Sequence, residues 1–220
     1  MRFSTDVALK EWAIVCAALR SGRQSVLLRK GGLRERAPRS DGPRSDTRVG
    51  PPPRVVAGGF EAVHRSFYLY PTYFHTREPG RERDLVPQVH DEAARLDQAA
   101  PPGGELHIDL AAQVSAAWFV EDPERLHAIG ASHILSTTCV EGRFHYRRPG
   151  LWALLLRVYA LPRPRVLIDR PAYSGCVSWV HLQPALTVEG LAPVLSDPVH
   201  ARREAALRRV LGDPAPLPST

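Results

Sequence analysis

The sequence predicts an α+β protein with a mixed, mostly antiparallel sheet or a partly open barrel and flanking helices. Short apolar runs between glycines, prolines and charged residues recur along the chain, as expected of strands. They do not alternate with helical segments in βαβ order, so a doubly wound parallel sheet is not indicated. The 220 residues are 44% hydrophobic and 24% charged, which is typical of a chain that buries a core.

The amino-terminal segment predicts one helix and one strand. Spacings of three and four residues define an apolar helix face made of Leu9, Trp12, Cys16 and Leu19. Thr5 or Asp6 can cap this helix at its start, and Gly22 ends it. Residues 24–30 follow as a strand, because a short apolar run there precedes a Gly-Gly pair.

Residues 36–54 differ in composition from the rest of the chain. They are rich in Pro, Arg, Ser, Asp and Gly, and the motif PRSD occurs at residues 38–41 and again at 43–46. Such a segment lacks the apolar side chains that a core requires. We interpret it as a flexible insertion within a domain.

The rest of the chain is predicted to consist of strands, helices and breaks. In chain order these are a strand within 64–75, a helix at 86–99, a break at 101–104, a strand within 105–120, a helix opening at 122–124, strands at 151–161, 166–169 and 176–182, a helix at 197–211, and a Pro-rich tail at 213–220. The break, PPGG, leaves two possibilities: a single domain, or two closely packed subdomains of about 1–100 and 104–212.

Composition restricts the partners and the compartment. The net charge of +6 permits an anionic partner such as nucleic acid or a nucleotide, although a solvated basic surface has the same signature. Only Lys10 and Lys30 are lysines, and the other cations are arginines. Three cysteines without C-x-x-C spacing indicate neither a disulfide framework nor a metal site, and no cofactor is predicted. With no signal sequence and no apolar run of about 18 residues, we expect a cytoplasmic protein outside the membrane.

Lys10, Glu11, Arg29 and Lys30 form the first candidate site. They can converge if the first helix packs against the strand that follows, although alternation along that strand sends Arg29 and Lys30 to opposite faces. Glu11 with Arg29 is then either a structural ion pair or an anion site in which Arg29 clamps the ligand.

The segment HRSFYLYPTYFH, residues 64–75, is the second candidate site. His64 or His75 could act as a general base if a carboxylate oriented it, since imidazole titrates near neutral pH. Arg65 could bind a phosphate while the neighbouring tyrosines stack on unpaired bases. An amphipathic strand that packs in the core explains the same pattern.

Arg157, inside the apolar run LLLRVY, is the last candidate, because a charge in such a strand must be paired or face a pocket. The catalytic candidates are therefore His64, His75 and Glu11, and the anion-binding candidates are Arg29, Lys30, Arg65 and Arg157. The sequence lacks the G-x-S-x-G, H-E-x-x-H and G-x-G-x-x-G motifs. Neither lysine stands in the Asp, then Glu-x-Lys pattern of restriction nucleases, so a cutting domain is not indicated.

Four blocks together resemble a known bacterial family. They are ALKEWAIVCAALRSGRQSVLLRKGGLRE (8–35), HRSFYLYPTYFH (64–75), LWALLLRVYALPRP (151–164) and YSGCVSWVHL (173–182), and they resemble domain of unknown function 1802. This family has no assigned activity, but some members stand beside or are fused to restriction-endonuclease-like domains, which implies a role in restriction or modification. The chain departs from the family in its longer insertion at 36–54 and in Ser66, where an acidic residue is expected.

A second resemblance is to the ASCH domains, which are PUA-like barrels associated with RNA and modified nucleotides. Their signature G-x-K-x-x-E-x-R falls here on Gly22, Gln24, Leu27 and Arg29, so the glycine and the arginine match while the lysine and the acid do not. Without that acid, the resemblance implies a fold rather than a chemistry.

Three functions are compatible with these observations. The first is an accessory protein of restriction or modification that binds nucleic acid or a nucleotide through an arginine-lined surface. The alternatives are a small hydrolase for a phosphorylated or nucleotide substrate, with a histidine general base, and a protein-interaction scaffold.

Overall fold

The computed structural model describes residues 1–30, 64–73, 80–175 and 177–217. Within these ranges the strands are β1 (Arg2–Trp12), β2 (Val26–Arg29), β3 (Ser66–Thr72), β4 (Glu105–Val120), β5 (Leu151–Ile168), β6 (Trp179–Glu189) and β7 (Ala192–Pro193). The helices are α1 (Ala13–Arg20), α2 (His90–Gln98), α3 (Pro123–Ala128), α4 (Thr137–His145) and α5 (Asp197–Leu211). Short 3-10 turns precede α2 and follow α3 and β5.

The described strands form one open mixed sheet in the order β2-β5-β4-β3-β1-β6, and β7 pairs with β5. Only the β1–β3 pair is parallel among the pairings of this part of the chain. The long antiparallel pair of β4 and β5 has register shifts between Ile108 and Leu110 and between Val114 and Ala116, which bend the two strands. Strands from both sides of residues 101–104 belong to the same sheet.

Both faces of the sheet are buried. The α-helices pack on one face and contribute to its core, which includes Val7, Leu9 and Phe67. The opposite face has its own core, which includes Ala8 and Tyr68 and is made by strands and the turn at 171–173. In a strand that is buried on both faces, successive side chains all lie in a core. Its sequence is therefore a continuous apolar run and does not alternate between apolar and polar residues.

The predicted fold class is confirmed: an α+β chain with a mixed, mostly antiparallel sheet and flanking helices. The helix at 197–211 and the helix start at Asp122 are also confirmed, and Oδ1 of Asp122 accepts from the backbone N–H of Glu124 at 3.0 Å. The strands predicted at 151–161 and 166–169 are one continuous strand, β5.

The prediction for the first helix is wrong over its first half. Residues Arg2–Trp12 form β1, and helix α1 begins only at Ala13. Val7 and Leu9 face one core while Ala8 faces the other, so three consecutive buried residues hid the alternation of the strand. A register shift between Thr5 and Val7 interrupts it further.

Several features named from the sequence lie outside the described residues. These are the insertion at 36–54, the Gly31-Gly32 pair, His75, Cys176 and residues 218–220 of the tail.

Candidate functional site

Glu11 and Arg29 lie at the ends of β1 and β2 and contact each other. Nη1 of Arg29 donates to Oε2 of Glu11 at 2.9 Å and also approaches the carbonyl of Lys10 at 3.4 Å. Oε1 of Glu11 accepts from the backbone N–H of Trp12 at 3.0 Å. Both carboxylate oxygens therefore have protein partners, which is the arrangement that a buried charge needs.

Lys10 and Lys30 both bind main-chain carbonyl groups. Nζ of Lys30 donates to the carbonyls of Phe144 at 2.7 Å and Gly150 at 2.9 Å, and also to that of Arg148. Burial lowers the pKa of the Lys30 ammonium group. Nζ of Lys10 donates to the carbonyls of residues 173 and 175. Each lysine thus holds a loop of the second half of the chain against the first half.

A cleft opens where β3 ends, β4 begins and β5 ends. We call it the Tyr70 cleft. Its volume is about 270 Å³, and it is lined by the turn at 101–104 and by side chains that include Tyr70, Thr72, Tyr73, Glu105, His107 and Asp169. Strand pairing brings Glu105 opposite Ile168, which places the start of β4 beside the end of β5.

Tyr70 and Asp169 form the polar centre of the Tyr70 cleft. The Tyr70 hydroxyl donates to Oδ1 of Asp169 at 2.6 Å. Burial, reinforced by this hydrogen bond and by the charge of Asp169, raises the pKa of Tyr70 well above its usual range. Tyr70 therefore stays a protonated donor near neutral pH, and Asp169 is the acceptor. Nζ of Lys10 lies 5.4 Å from the centre of the Tyr70 ring.

Polar groups line the cleft beside this centre, and two arginines lie close to it in the chain. Nε2 of His107 lies 2.8 Å from Oε2 of Glu105, and both side chains are partly exposed. Arg165 and Arg170 are exposed and flank Asp169 in the chain. The cleft thus offers two exposed carboxylates and two tyrosine rings in its lining, and two exposed arginines lie at or just after the end of β5.

A separate group of imidazoles lies where β6 meets β1. Nδ1 of His181 is 2.9 Å from Oδ2 of Asp6, and this hydrogen bond is the main cause of the lowered pKa of Asp6. The ring of His64 packs edge-on against Trp179 at 5.1 Å and against His181 at 5.9 Å. The structure therefore puts His64 beside a carboxylate-oriented histidine that the sequence had not linked to it.

The two remaining sequence candidates lie in different surroundings. Arg65 is exposed, and its carbonyl accepts from the backbone N–H of Val114 at 2.9 Å. The guanidinium of Arg157 donates to the carbonyl of Leu195 at 2.7 Å and pairs with Asp197 at the start of α5. Arg157 thus fastens α5 to the sheet.

Sequence reasoning found part of the Tyr70 cleft and missed the rest. Tyr70 and Tyr73 belong to the segment 64–75, which the sequence predicts as a candidate site, whereas Glu105, His107 and Asp169 are not among the residues predicted from the sequence. Tyr70 and Asp169 are 99 residues apart in the chain. For Glu105 and His107 the only local signal was their position at the start of a strand, directly after the PPGG break, and Asp169 had no such signal.

The described residues contain no group of three or more His, Cys, Asp or Glu side chains arranged to hold a metal ion. Among the helices of the same ranges, none is both long and apolar enough to cross a membrane.

Three comparisons with known proteins complete this description. A family model described as "Domain of unknown function (DUF1802)" matches residues 8–40 and 54–206. No curated protein matches the chain. The structure of ASCH from Zymomonas mobilis is similar with a TM-score of 0.40 and 14% identity over 81% of this chain and 87% of that chain. A mutant form of it is similar with a TM-score of 0.38 and 12% identity over 92% of this chain and 98% of that chain.

Proposed function

The chain belongs to the family of domain of unknown function 1802, and from its geometry we propose that it binds single-stranded nucleic acid or a nucleotide by holding one base in the Tyr70 cleft. The observation that carries this proposal is the Tyr70–Asp169 hydrogen bond at the centre of an aromatic-lined cleft of about 270 Å³. This volume is slightly below the roughly 300–1,000 Å³ of typical small-molecule pockets, which suits one small planar group.

The side chains of the cleft suit two features of a nucleobase, its flat aromatic ring and its exocyclic amino group. Tyr73 is partly exposed and offers a ring surface beside the buried Tyr70, and stacking of a base on an aromatic ring contributes about 1–3 kcal/mol. Asp169 and Glu105 are hydrogen-bond acceptors, and carboxylates accept from exocyclic amino groups such as N4 of cytosine. Cytosine, adenine and guanine carry such a group and uracil does not, so we expect tighter binding of the first three.

In this proposal, exposed arginines near the cleft bind the phosphate of the nucleotide. Arg165 and Arg170 are exposed on the strand end and turn that carry Asp169, where they can bind the phosphate of a nucleotide whose base fills the cleft. Their charge is consistent with the anionic partner that the net charge of +6 permits. Arg65, which directly precedes the strand that carries Tyr70, is a further phosphate contact in this proposal.

The experiment is a calorimetric titration of the protein with CMP and with UMP at low salt. We expect CMP to bind more tightly than UMP, and Asp169→Asn to remove the preference because the amide presents donors where the carboxylate accepted. Tyr73→Ala should weaken both ligands by loss of stacking. Asp213→Asn, which changes a carboxylate on the exposed segment after α5, serves as the matched control.

Two results would contradict the proposal. One is the absence of binding to all four nucleoside monophosphates and to single-stranded DNA and RNA at low salt. The other is equal affinity of wild type and Asp169→Asn for CMP, since the carboxylate would then have no role in base recognition.

A second candidate function is hydrolysis of a phosphorylated or nucleotide substrate. It is favoured by the 2.9 Å contact between Nδ1 of His181 and Oδ2 of Asp6, because a carboxylate that orients an imidazole is a feature of general bases. His64, named from the sequence, lies beside this pair. Release of phosphate or of a base from a nucleotide, abolished by His181→Ala and reduced by Asp6→Asn, would establish this function. Unchanged turnover in His181→Ala would exclude it for this pair.

The association with restriction or modification is implied by the family and stays a prediction. Loss of phage resistance or of DNA modification on deletion of the gene would support it. The scaffold function predicts instead a stable complex with the product of a neighbouring gene in size-exclusion chromatography.

A further inference from the structure

The turn that follows α4 displays an exposed aromatic ring between arginines. We call residues 146–148, with the sequence Tyr-Arg-Arg, the Tyr146 turn. Tyr146 is 56% exposed, and both arginines are exposed. The guanidinium of Arg147 lies over the Tyr146 ring at 5.1 Å from its centre. This contact covers part of the ring with a cation and leaves the remainder accessible.

The backbone of this turn is strained. Arg147 has a φ of 64°, and it is the only non-glycine residue with a positive φ in the described part of the chain. The N–H of Arg148 donates to the carbonyl of Tyr146 at 2.9 Å, which closes a three-residue γ-turn around Arg147. A side chain in this conformation costs about 1–2 kcal/mol, and such strain concentrates at binding sites.

Three neighbouring residues impose the conformation. Lys30 binds the carbonyls of Phe144, Arg148 and Gly150, and so satisfies the free carboxyl end of α4 and both sides of the turn. Pro149 restricts the residue before it to extended conformations. Gly150, with a φ of 116°, lies against the ring of Phe119 and leaves no room for a Cβ atom. The exposed groups are therefore preorganised, which lowers the entropic cost of binding.

The charge around the turn points to an anionic partner. Neither Arg147 nor Arg148 forms an ion pair with a carboxylate of the described residues, so none of their ten guanidinium N–H donors is paired with an acid there. An aromatic ring that alternates with arginines suits unpaired bases and the phosphates between them. An acidic peptide would satisfy the arginines but would give the Tyr146 ring no planar group on which to stack.

We propose that the Tyr146 turn is a second contact site for single-stranded nucleic acid, in which Tyr146 stacks on a base while Arg147 and Arg148 bind the adjacent phosphates. This inference rests on the proposed nucleic-acid function and makes it more specific. The natural ligand is then a polynucleotide that reaches both the Tyr70 cleft and the Tyr146 turn, rather than a free nucleotide.

The test measures fluorescence anisotropy of a labelled single-stranded RNA of about 12 nucleotides, within the site sizes of known single-strand binders. Tyr146→Ala should weaken binding at least about fivefold, which is the lower limit of one stacking interaction. Arg147→Gly and Arg148→Ala should each lower the slope of log affinity against log salt by about 0.7. Arg147→Gly removes the guanidinium but suits the positive φ, so the variant should fold at least as stably as wild type. Arg209→Ala, an exposed arginine of α5, is the matched control and should change neither quantity.

A mononucleotide titration separates this proposal from the previous one. Variants of the Tyr146 turn should bind CMP as wild type does, whereas Asp169→Asn should not. If CMP does not bind but Tyr146→Ala weakens RNA binding, base binding in the Tyr70 cleft is refuted and RNA binding at the Tyr146 turn is supported. The inference is overturned if the turn variants bind RNA as Arg209→Ala does, if wild type binds no RNA, or if poly-glutamate competes as well as RNA.

Discussion

Arg29 donates to Glu11 across 2.9 Å, and this pair joins the carboxyl ends of two strands that are not neighbours in the sheet. Only 4% of the Glu11 side chain and 15% of the Arg29 side chain are exposed. The sequence left open whether Arg29 binds a ligand or Glu11, and in the structure its guanidinium is oriented by Glu11. The pair leads to a prediction about stability.

We predict that Arg29→Met destabilises the protein by about 3–5 kcal/mol, because it leaves a buried carboxylate without its cation. The double variant with Glu11→Gln should be less destabilised than the sum of the two single variants. Urea unfolding of all four proteins measures this coupling. Additive effects would show that the two charges are solvated independently.

Arg157 provides a prediction in which two partners contribute unequally. Asp197 is 93% exposed, so Asp197→Ala should cost at most about 1 kcal/mol. Arg157→Met should cost more, about 1–3 kcal/mol, because the carbonyl of Leu195 loses its donor. Thermal unfolding of the two variants compares the costs. If Arg157 also binds an anion, the Met variant will lose RNA affinity that Asp197→Ala retains.

Gly150 and Gly142 form a matched pair for glycine replacement. A Cβ at Gly150 would lie 2.5 Å from the Phe119 ring on a backbone with φ of 116°, so Gly150→Ala should destabilise by about 2–4 kcal/mol. Gly142 lies inside α4 with no atom within 4 Å of such a Cβ, and Gly142→Ala should stabilise by about 0.5–1 kcal/mol. Chemical denaturation should therefore give shifts of opposite sign.

Because His133 is buried with a lowered pKa, we predict that the protein loses stability in acid. His133 is 8% exposed, its Nδ1 accepts from the backbone N–H of Leu135 at 3.2 Å, and burial lowers the pKa of its imidazole to about 4. Because the unfolded chain binds this proton near pH 6.5, the free energy of unfolding should fall by about 3 kcal/mol between pH 6.5 and pH 4.

The control for this prediction is His133→Asn, which keeps an acceptor for the N–H of Leu135 but does not titrate. Its unfolding free energy should depend on pH less steeply than that of wild type, by one proton over this range. Equal slopes in urea titrations would assign the acid sensitivity to other groups, such as His200, whose pKa burial also lowers.

Most helices and strands could be predicted from local sequence signals, such as capping residues and the spacing of apolar residues. Helix α5 has an N-terminal proline and a terminal glycine, and both of its ends were predicted. Strand β1 was not predicted, because its buried residues face two cores and their spacing also fits a helix. The fold class could be predicted because it depends on the sum of such segments and not on any single one.

The candidate sites were less accessible to sequence reasoning, since they depend on contacts between distant segments. Tyr70 with Asp169, and His181 with Asp6, are brought together only by strand pairing. Arg147 is an ordinary arginine in the sequence, and its left-handed conformation follows from contacts made by Lys30 and Gly150. By contrast, Glu11 with Arg29 is separated by one helix, and that pairing was considered from the sequence alone.

The two lysines have a consequence for which substitutions the loops they hold can accept. Lys10 and Lys30 hold their loops through main-chain carbonyls, which every amino acid provides. The exposed side chains at 145–148 can therefore be exchanged without loss of the Lys30 anchor, whereas Phe144 and Tyr173 are also buried in the core. The exposed surface of an anchored loop can therefore change in charge and size while the shape of the loop is kept.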